Sequence, residues 1–209
     1  ADEVVLSFVE KINQGDLTGI EALLAPDHTV IDLAGDVTFG AKLMVKGWRK
    51  YLSEYPDYEI YVRLAYKSGD RVILIGHTTG SHLDLPDVVE FHTEGVIWLS
   101  EVSEGKVSTW KLLEDTQENY ETLKLNNFEK LFIPAFYART IAKHLDLLPP
   151  GSRTQDVRNV RKFYSQSYKD AQPEELLSLA EKLLFEEGYR FVPYELIYYH
   201  PGAIEALSA

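Results

Sequence analysis

The feature of this sequence that most constrains its fold is a change of hydrophobic period at Pro56-Asp57. Before it, apolar side chains recur every three to four residues, which predicts three helices, the last from Phe39 to Tyr55. After it, β-branched and aromatic segments alternate with turn signals, which predicts strands at 58–66, 72–81, 88–99 and 107–113. Helices followed by a meander of strands are typical of an α+β domain, with the helices on one face of an antiparallel sheet.

The pattern changes again after the strands. From about residue 131 apolar residues return to a spacing of three to four, which predicts four further helices, the first at 132–148 and the others beginning near Thr154, Pro173 and Arg190. Residues 121–130 are predicted to form a linker. We therefore expect an α+β domain at 1–120 and an all-α segment at 131–209.

Charge and composition narrow the function classes. The chain carries 21 Lys+Arg against 33 Asp+Glu, a formal net charge of −12, and most of the acidic excess precedes residue 128. An acidic surface repels phosphate backbones, so the first domain is not expected to bind nucleic acid, whereas charge does not decide this for the nearly neutral second segment. The absence of Cys excludes disulfides, thiolate metal sites and a cysteine nucleophile.

The apolar runs are short. They fall far below the roughly 20 residues that span a bilayer, and the first residues lack the features of a signal peptide. We therefore expect a soluble, cytoplasmic protein with no membrane partner.

Several short motifs of the first domain stand in the order of a known superfamily. They are Asn13-Gln14-Gly15-Asp16, Val30-Ile31-Asp32, Tyr55-Pro56-Asp57, Gly69-Asp70-Arg71-Val72, Thr79-Gly80-Ser81-His82 and Glu104-Gly105-Lys106-Val107. Over about residues 3–120 the chain resembles the NTF2-like superfamily, and within it the SnoaL-like polyketide cyclases and ketosteroid isomerases. The resemblance implies a cystatin-like cone, in which a curved antiparallel sheet with three N-terminal helices encloses a pocket. It also implies a homodimer formed through the sheet.

Asp32 is the first catalytic candidate. It lies in a short apolar strand predicted at 30–33 and shares a face with Val30. An apolar cavity disfavours the charged form of a carboxylate, which makes such a group more useful for proton transfer near neutrality. The resemblance points the same way, because Asp32 matches the general base of the ketosteroid isomerases. The residues leave open the alternative that Asp32 caps a loop or faces solvent.

The comparison with the cyclases directs attention to the last strand. There the family pattern has a Trp followed by an acid, which Trp110 with Glu114 or Asp115 matches. By strand alternation Trp110 and Glu114 share a face while Asp115 points the other way. Cyclases of this type need no metal or cofactor, so none is expected. The alternative is that Trp110 belongs to the core and both acids lie on the surface.

The resemblance also argues against steroid isomerisation. Phe8 falls where that family has its oxyanion-hole Tyr, and a Phe ring has no hydroxyl to donate to a developing enolate. Phe8 is expected instead to help line the pocket. The full set of expected lining residues is Phe8, Trp48, His77, His92, Trp98 and Trp110.

A single His on a strand is more often structural than catalytic. The His residues also lack the compact spacing of a zinc site, so no metal is expected. The preferred function is therefore binding of a small apolar ligand in the pocket. The alternative is a cofactor-free isomerase or cyclase that uses Asp32 with Glu114 or Asp115.

The all-α segment resembles, more loosely, the start of the AlkD-like DNA alkylation repair family. The motifs are Tyr137-Ala138, Arg153-Thr154-Gln155-Asp156-Val157-Arg158, Glu174-Glu175-Leu176-Leu177 and Tyr189-Arg190. The resemblance implies HEAT-like helix pairs. The family's catalytic residues lie in later repeats that this chain does not contain, and the segment lacks a basic excess. We expect a helical appendage that packs against a partner, with a scaffold related to DNA repair as the distant alternative.

Overall fold

The structure is a computed structural model that describes residues 1–133, 135–136, 139–140, 143 and 147. It divides the chain into two compact units, one of residues 1–60 with 65–131 and one of residues 61–64 with 132–209. Apart from single positions, the helices predicted within 132–209 lie outside the described residues. The motifs of the AlkD-like resemblance belong to the same segment and lie outside them too.

Three helices open the chain, as the helical spacing predicts. They are α1 (Asp2–Gln14), α2 (Leu17–Leu23) and α3 (Ala41–Glu54). α1 ends at Gly15, whose φ of 65° lies in the left-handed region that glycine adopts without a steric penalty. α2 begins after Asp16, whose carboxylate accepts the backbone N–H of Gly19 at 2.9 Å.

Seven strands of the described residues form one mixed sheet. Their bounds are β1 (Leu24–Ile31), β2 (Val37–Phe39), β3 (Glu59–Ser68), β4 (Arg71–Thr79), β5 (Gly95–Ser103), β6 (Lys106–Glu114) and β7 (Glu129–Lys130), in the spatial order β2-β1-β6-β5-β4-β3-β7. The expectation of a purely antiparallel sheet is wrong, because β1 pairs in parallel with β6. Local sequence shows that a segment is extended but not which distant strand it joins.

The prediction of a single strand at 88–99 is also wrong. The structure has a helix, α4 (Asp87–Thr93), after which β5 begins at Gly95. Val88, Val89 and Phe91 have high strand propensity. The helix nevertheless forms because it buries Glu90 against polar partners on β4 and the loop after it, and tertiary contacts of this kind override propensity.

Residues 121–130, predicted as a linker, are structured and stay with the sheet. They contain the end of α5 (Gln117–Leu123), a 3₁₀ turn at Leu125–Asn127 and the edge strand β7. β7 pairs with β3, with Lys130 opposite Tyr66. The first unit accordingly extends to Leu131.

The few described residues of the second unit make specific contacts within it. The Thr140 hydroxyl lies 2.7 Å from the Val62 carbonyl oxygen and 3.0 Å from that of Phe136. The Lys143 ammonium lies 5.8 Å from the centre of the Tyr61 ring. In the described part of the chain, no helix is both long and apolar enough to cross a bilayer.

Candidate functional site

A cavity of about 300 Å³ lies within the first unit, between α3 and the face of the sheet that β1, β4, β5 and β6 present to it. Its walls are mostly apolar and include every Trp of the sequence. The main apolar lining residues are Val30, Met44, Trp48, Val96, Trp98, Trp110 and Leu112. A concave, largely apolar space with a few polar groups has the character of a small-molecule site.

The aromatic wall is held from behind by α1. Trp98 and Trp110, on neighbouring strands, stack with ring centres 6.3 Å apart. Phe8 is fully buried and meets Trp110 edge to face at 5.2 Å and Trp48 at 6.4 Å. Of the expected lining residues, Trp48, Trp98 and Trp110 border the cavity. Phe8 is not part of the lining and packs behind it against Trp48 and Trp110.

Asp32 lies at the mouth of the cavity rather than inside it. β1 ends at Ile31, and the exposed Asp32 begins the turn into β2. Its carboxylate accepts the Asp36 N–H at 2.9 Å, and its own N–H donates to the Asp36 carbonyl at 3.1 Å. Asp32 borders the cavity, and its carboxylate caps the turn.

The two acids after Trp110 lie away from the cavity lining. Trp110 and Leu112 face the cavity, but Glu114, on the same face, is exposed at the end of β6. Asp115 is half-buried and accepts a hydrogen bond from the Tyr120 hydroxyl. Its carboxylate also lies against Gly95, where a Cβ would be 2.6 Å from Oδ2.

The two His candidates differ from their expected positions. His77 is on β4 next to Thr78, which borders the cavity, so its ring belongs to the opposite face, 5.6 Å from the ring of Phe91. His92 lies in α4 rather than on a strand, and its side chain is not among the described ones.

One end of the cavity is polar, and no sequence pattern groups its residues. Tyr51, Tyr58, Thr78, Ser81 and His82 border this end. The Tyr51 hydroxyl lies 3.0 Å from His82 Nδ1 and accepts the His82 backbone N–H at 3.2 Å. Among the described residues, the Tyr58 hydroxyl has no hydrogen-bond partner. It is therefore available to a molecule in the cavity.

Burial governs the acidity of both phenols. It raises the pKa of Tyr51, and the negative charge of Glu90 adds to the effect. Burial raises the pKa of Tyr58 still further, with smaller contributions from Tyr51 and Glu90. Both hydroxyls therefore stay protonated at physiological pH.

Glu90 is the main functional candidate that sequence reasoning missed. Its side chain is 0% exposed on α4, behind the polar end of the cavity. The Thr78 hydroxyl donates to Oε2 at 2.8 Å, and the hydroxyl and N–H of Ser81 donate to Oε1 at 2.5 and 3.2 Å. The sequence predicts Glu90 on a strand and therefore predicts no partner for it. The one relevant sequence signal is the motif Thr79-Gly80-Ser81-His82, which contains its partner Ser81.

The described residues show no cluster of three His, Asp or Glu side chains that would hold a metal ion.

Comparison with known proteins identifies the family. A family model described as a SnoaL-like domain matches residues 5–110, half of the chain. The chain belongs to the SnoaL-like domain family. The predicted α+β, NTF2-like fold of the first domain is thereby confirmed.

Several solved structures are similar to this SnoaL-like domain. An uncharacterised cystatin-fold protein from Novosphingobium aromaticivorans shares 18% identity at a TM-score of 0.47, over 54% of this chain and 96% of that one. An NTF2-like protein of unknown function from Cytophaga hutchinsonii shares 14% identity at a TM-score of 0.44, over 57% and 93%. A hypothetical protein with a ketosteroid isomerase-like fold from Catenulispora acidiphila, in complex with trimethylamine, shares 16% identity at a TM-score of 0.42, over 53% and 83%. No relative was found among curated proteins.

Proposed function

We propose that the SnoaL-like domain is a binding module whose cavity takes up a small, largely apolar ligand. The observation that carries this proposal is the cavity of about 300 Å³ walled by all three Trp residues. Moving apolar surface of a ligand from water onto these walls is favourable by roughly 25 cal/mol per Å². The few polar groups at one end would orient the ligand.

Proton transfer by Asp32 with Glu114 or Asp115 is the second candidate. The observation in its favour is that Asp32 borders the cavity. However, Asp32 is exposed and hydrogen-bonded within its turn, and neither Glu114 nor Asp115 borders the cavity. Binding needs only the apolar walls, so the geometry supports it more directly than an isomerase or cyclase reaction.

The proposal is tested by titrating the protein with N-phenyl-1-naphthylamine, an apolar dye whose fluorescence rises in apolar surroundings. Saturable binding is expected. Gly47 of α3 borders the cavity, and a Cβ there would have only the Met44 methyl, at 3.8 Å, within 4 Å. Gly47→Phe should therefore fill the cavity without disrupting the helix.

The matched control for Gly47→Phe is Leu43→Phe, which adds the same ring on the same helix at an exposed position outside the cavity lining. Dye binding should be lost in Gly47→Phe and kept in Leu43→Phe. Equal binding by both variants would show that the dye lies elsewhere and would contradict the proposal.

A homodimer through the sheet is a separate proposal that rests on the family resemblance. Residues on both faces of β4, among them Leu74 and Ile75, are fully buried within one chain. A dimer would therefore use the edge strand β2, where Val37 and Phe39 are 63% and 65% exposed. Light scattering at micromolar concentration tests it, and a monomer mass would contradict it.

A further inference from the structure

The carboxylate of Glu90 is fully buried and accepts every hydrogen bond that it makes. Three donors converge on its two oxygens, and one of them is the backbone N–H of Ser81, which cannot act as an acceptor. A donor set of this kind satisfies an ionised carboxylate, whose oxygens can only accept. Glu90 thus places a negative charge behind the polar end of the cavity.

This charge has no counter-ion in the described part of the chain. The ion pairs there involve other acids, and no Lys, Arg or His pairs with Glu90. A buried charge that lacks an opposite charge is costly, even when hydrogen bonds satisfy its oxygens. A cation bound next to Glu90 would offset this cost.

The cavity next to Glu90 has walls suited to a cation. Two residues that bond to Glu90, Thr78 and Ser81, border it directly. Five aromatic rings border the same space: Trp48, Tyr51, Tyr58, Trp98 and Trp110. The negative faces of such rings attract cations, with Trp the most effective, and aromatic cages of this composition suit alkylated ammonium groups.

We infer that the ligand of the cavity is an alkylammonium compound, whose cationic group is stabilised by the aromatic walls and by the buried carboxylate of Glu90. The inference rests on the proposed function and specifies the ligand class. The remainder of the ligand is apolar, in keeping with the other walls. None of the described residues that line the cavity is Lys or Arg, so a ligand cation would meet no fixed positive charge from them.

The test compares two molecules of nearly the same shape, benzyltrimethylammonium and its neutral isostere neopentylbenzene. Both displace the naphthylamine dye if they bind the cavity. The wild-type protein should bind the cation at least about tenfold more tightly, a difference of roughly 1.4 kcal/mol. This measurement needs no variant and so does not depend on whether a substituted chain folds.

The role of Glu90 is tested with Glu90→Gln. The Gln oxygen can still accept from Ser81, and its amide can donate to the Thr78 hydroxyl, so the fold has a route to keep its hydrogen bonds. The preference for the cation should fall about tenfold while neopentylbenzene binds as before. Glu94→Gln, at an exposed position directly after α4, is the control for the loss of one negative charge and should leave the preference unchanged.

The outcomes separate the two proposals. Equal binding of the cation and its isostere to the wild-type protein, or a preference that Glu90→Gln retains, would overturn the alkylammonium inference and leave the apolar-ligand function standing. Failure of both molecules and the dye to bind would overturn the proposed function itself.

Discussion

Gly80 lies directly against the backbone of Asp57: a Cβ at position 80 would be 2.5 Å from the Asp57 carbonyl oxygen. Gly80 also has φ of 65°, in the left-handed region. Two of the sequence motifs, Tyr55-Pro56-Asp57 and Thr79-Gly80-Ser81-His82, thus meet in space. Their contact brings Tyr58 and Ser81 to the same end of the cavity.

Gly80→Ala should destabilise the protein and weaken ligand binding together. The left-handed backbone costs an Ala residue about 1–2 kcal/mol, and the contact with the Asp57 backbone adds to this. Gly105→Ala is the matched control, because Gly105 has φ of 74° and open space around its Cα. Urea unfolding should show a larger loss of the free energy of unfolding for Gly80→Ala than for Gly105→Ala. Dye binding should weaken in Gly80→Ala alone. Equal losses would contradict the role of the Asp57 contact.

His28 should make the stability of the fold depend on pH. It is fully buried, and its Nδ1–H donates to the Val107 carbonyl at 2.7 Å. Burial lowers the pKa of His28 below its ordinary value near 6.5. Below about pH 6.5 the unfolded chain therefore binds more protons than the folded one. The contribution of neutral His28 to the free energy of unfolding is complete above that pH and is lost as the solution becomes more acidic.

His28→Asn tests this pH dependence, because the Asn amide can still donate to Val107 and does not titrate. Urea unfolding of both proteins between pH 7 and pH 5 should show a steeper loss of stability in the wild type. The largest slope that one such group contributes is about 1.4 kcal/mol per pH unit. Parallel curves for the two proteins would contradict the assignment to His28.

The sequence predicts the fold of the first unit better than it predicts the site. The apolar spacing of Val5, Phe8 and Ile12 identifies α1, and its residues are buried as that spacing requires. Glu90 is different, because its partners Thr78 and Ser81 come from another element and no local pattern encodes that contact. The position of Asp32 likewise depends on where β1 ends, and a boundary is the least certain part of a sequence-based assignment.

Asp32→Asn should leave ligand binding nearly unchanged. The Asn side-chain oxygen can still accept the Asp36 N–H, so the turn into β2 is kept, and an exposed side chain at the mouth contributes little to apolar binding. Titration with the naphthylamine dye should give affinities within about twofold of each other. A loss of tenfold or more would contradict this prediction and would show that the Asp32 carboxylate contributes to binding at the mouth of the cavity.

Phe8→Ala should remove the support of the aromatic wall. Phe8 is fully buried between Trp48 and Trp110, and deleting such a ring costs about 3–5 kcal/mol, part of it from the void left behind. Leu43→Ala is the control, because Leu43 is 55% exposed and lies outside the cavity lining, and its effect on the free energy of unfolding should stay within about 0.5 kcal/mol. Urea unfolding measures both changes. Dye binding should also weaken in Phe8→Ala, because the freed Trp rings lose their fixed positions. This is measured under conditions where the variant stays folded. Unchanged dye affinity would show that the cavity does not need the Phe8 ring behind it.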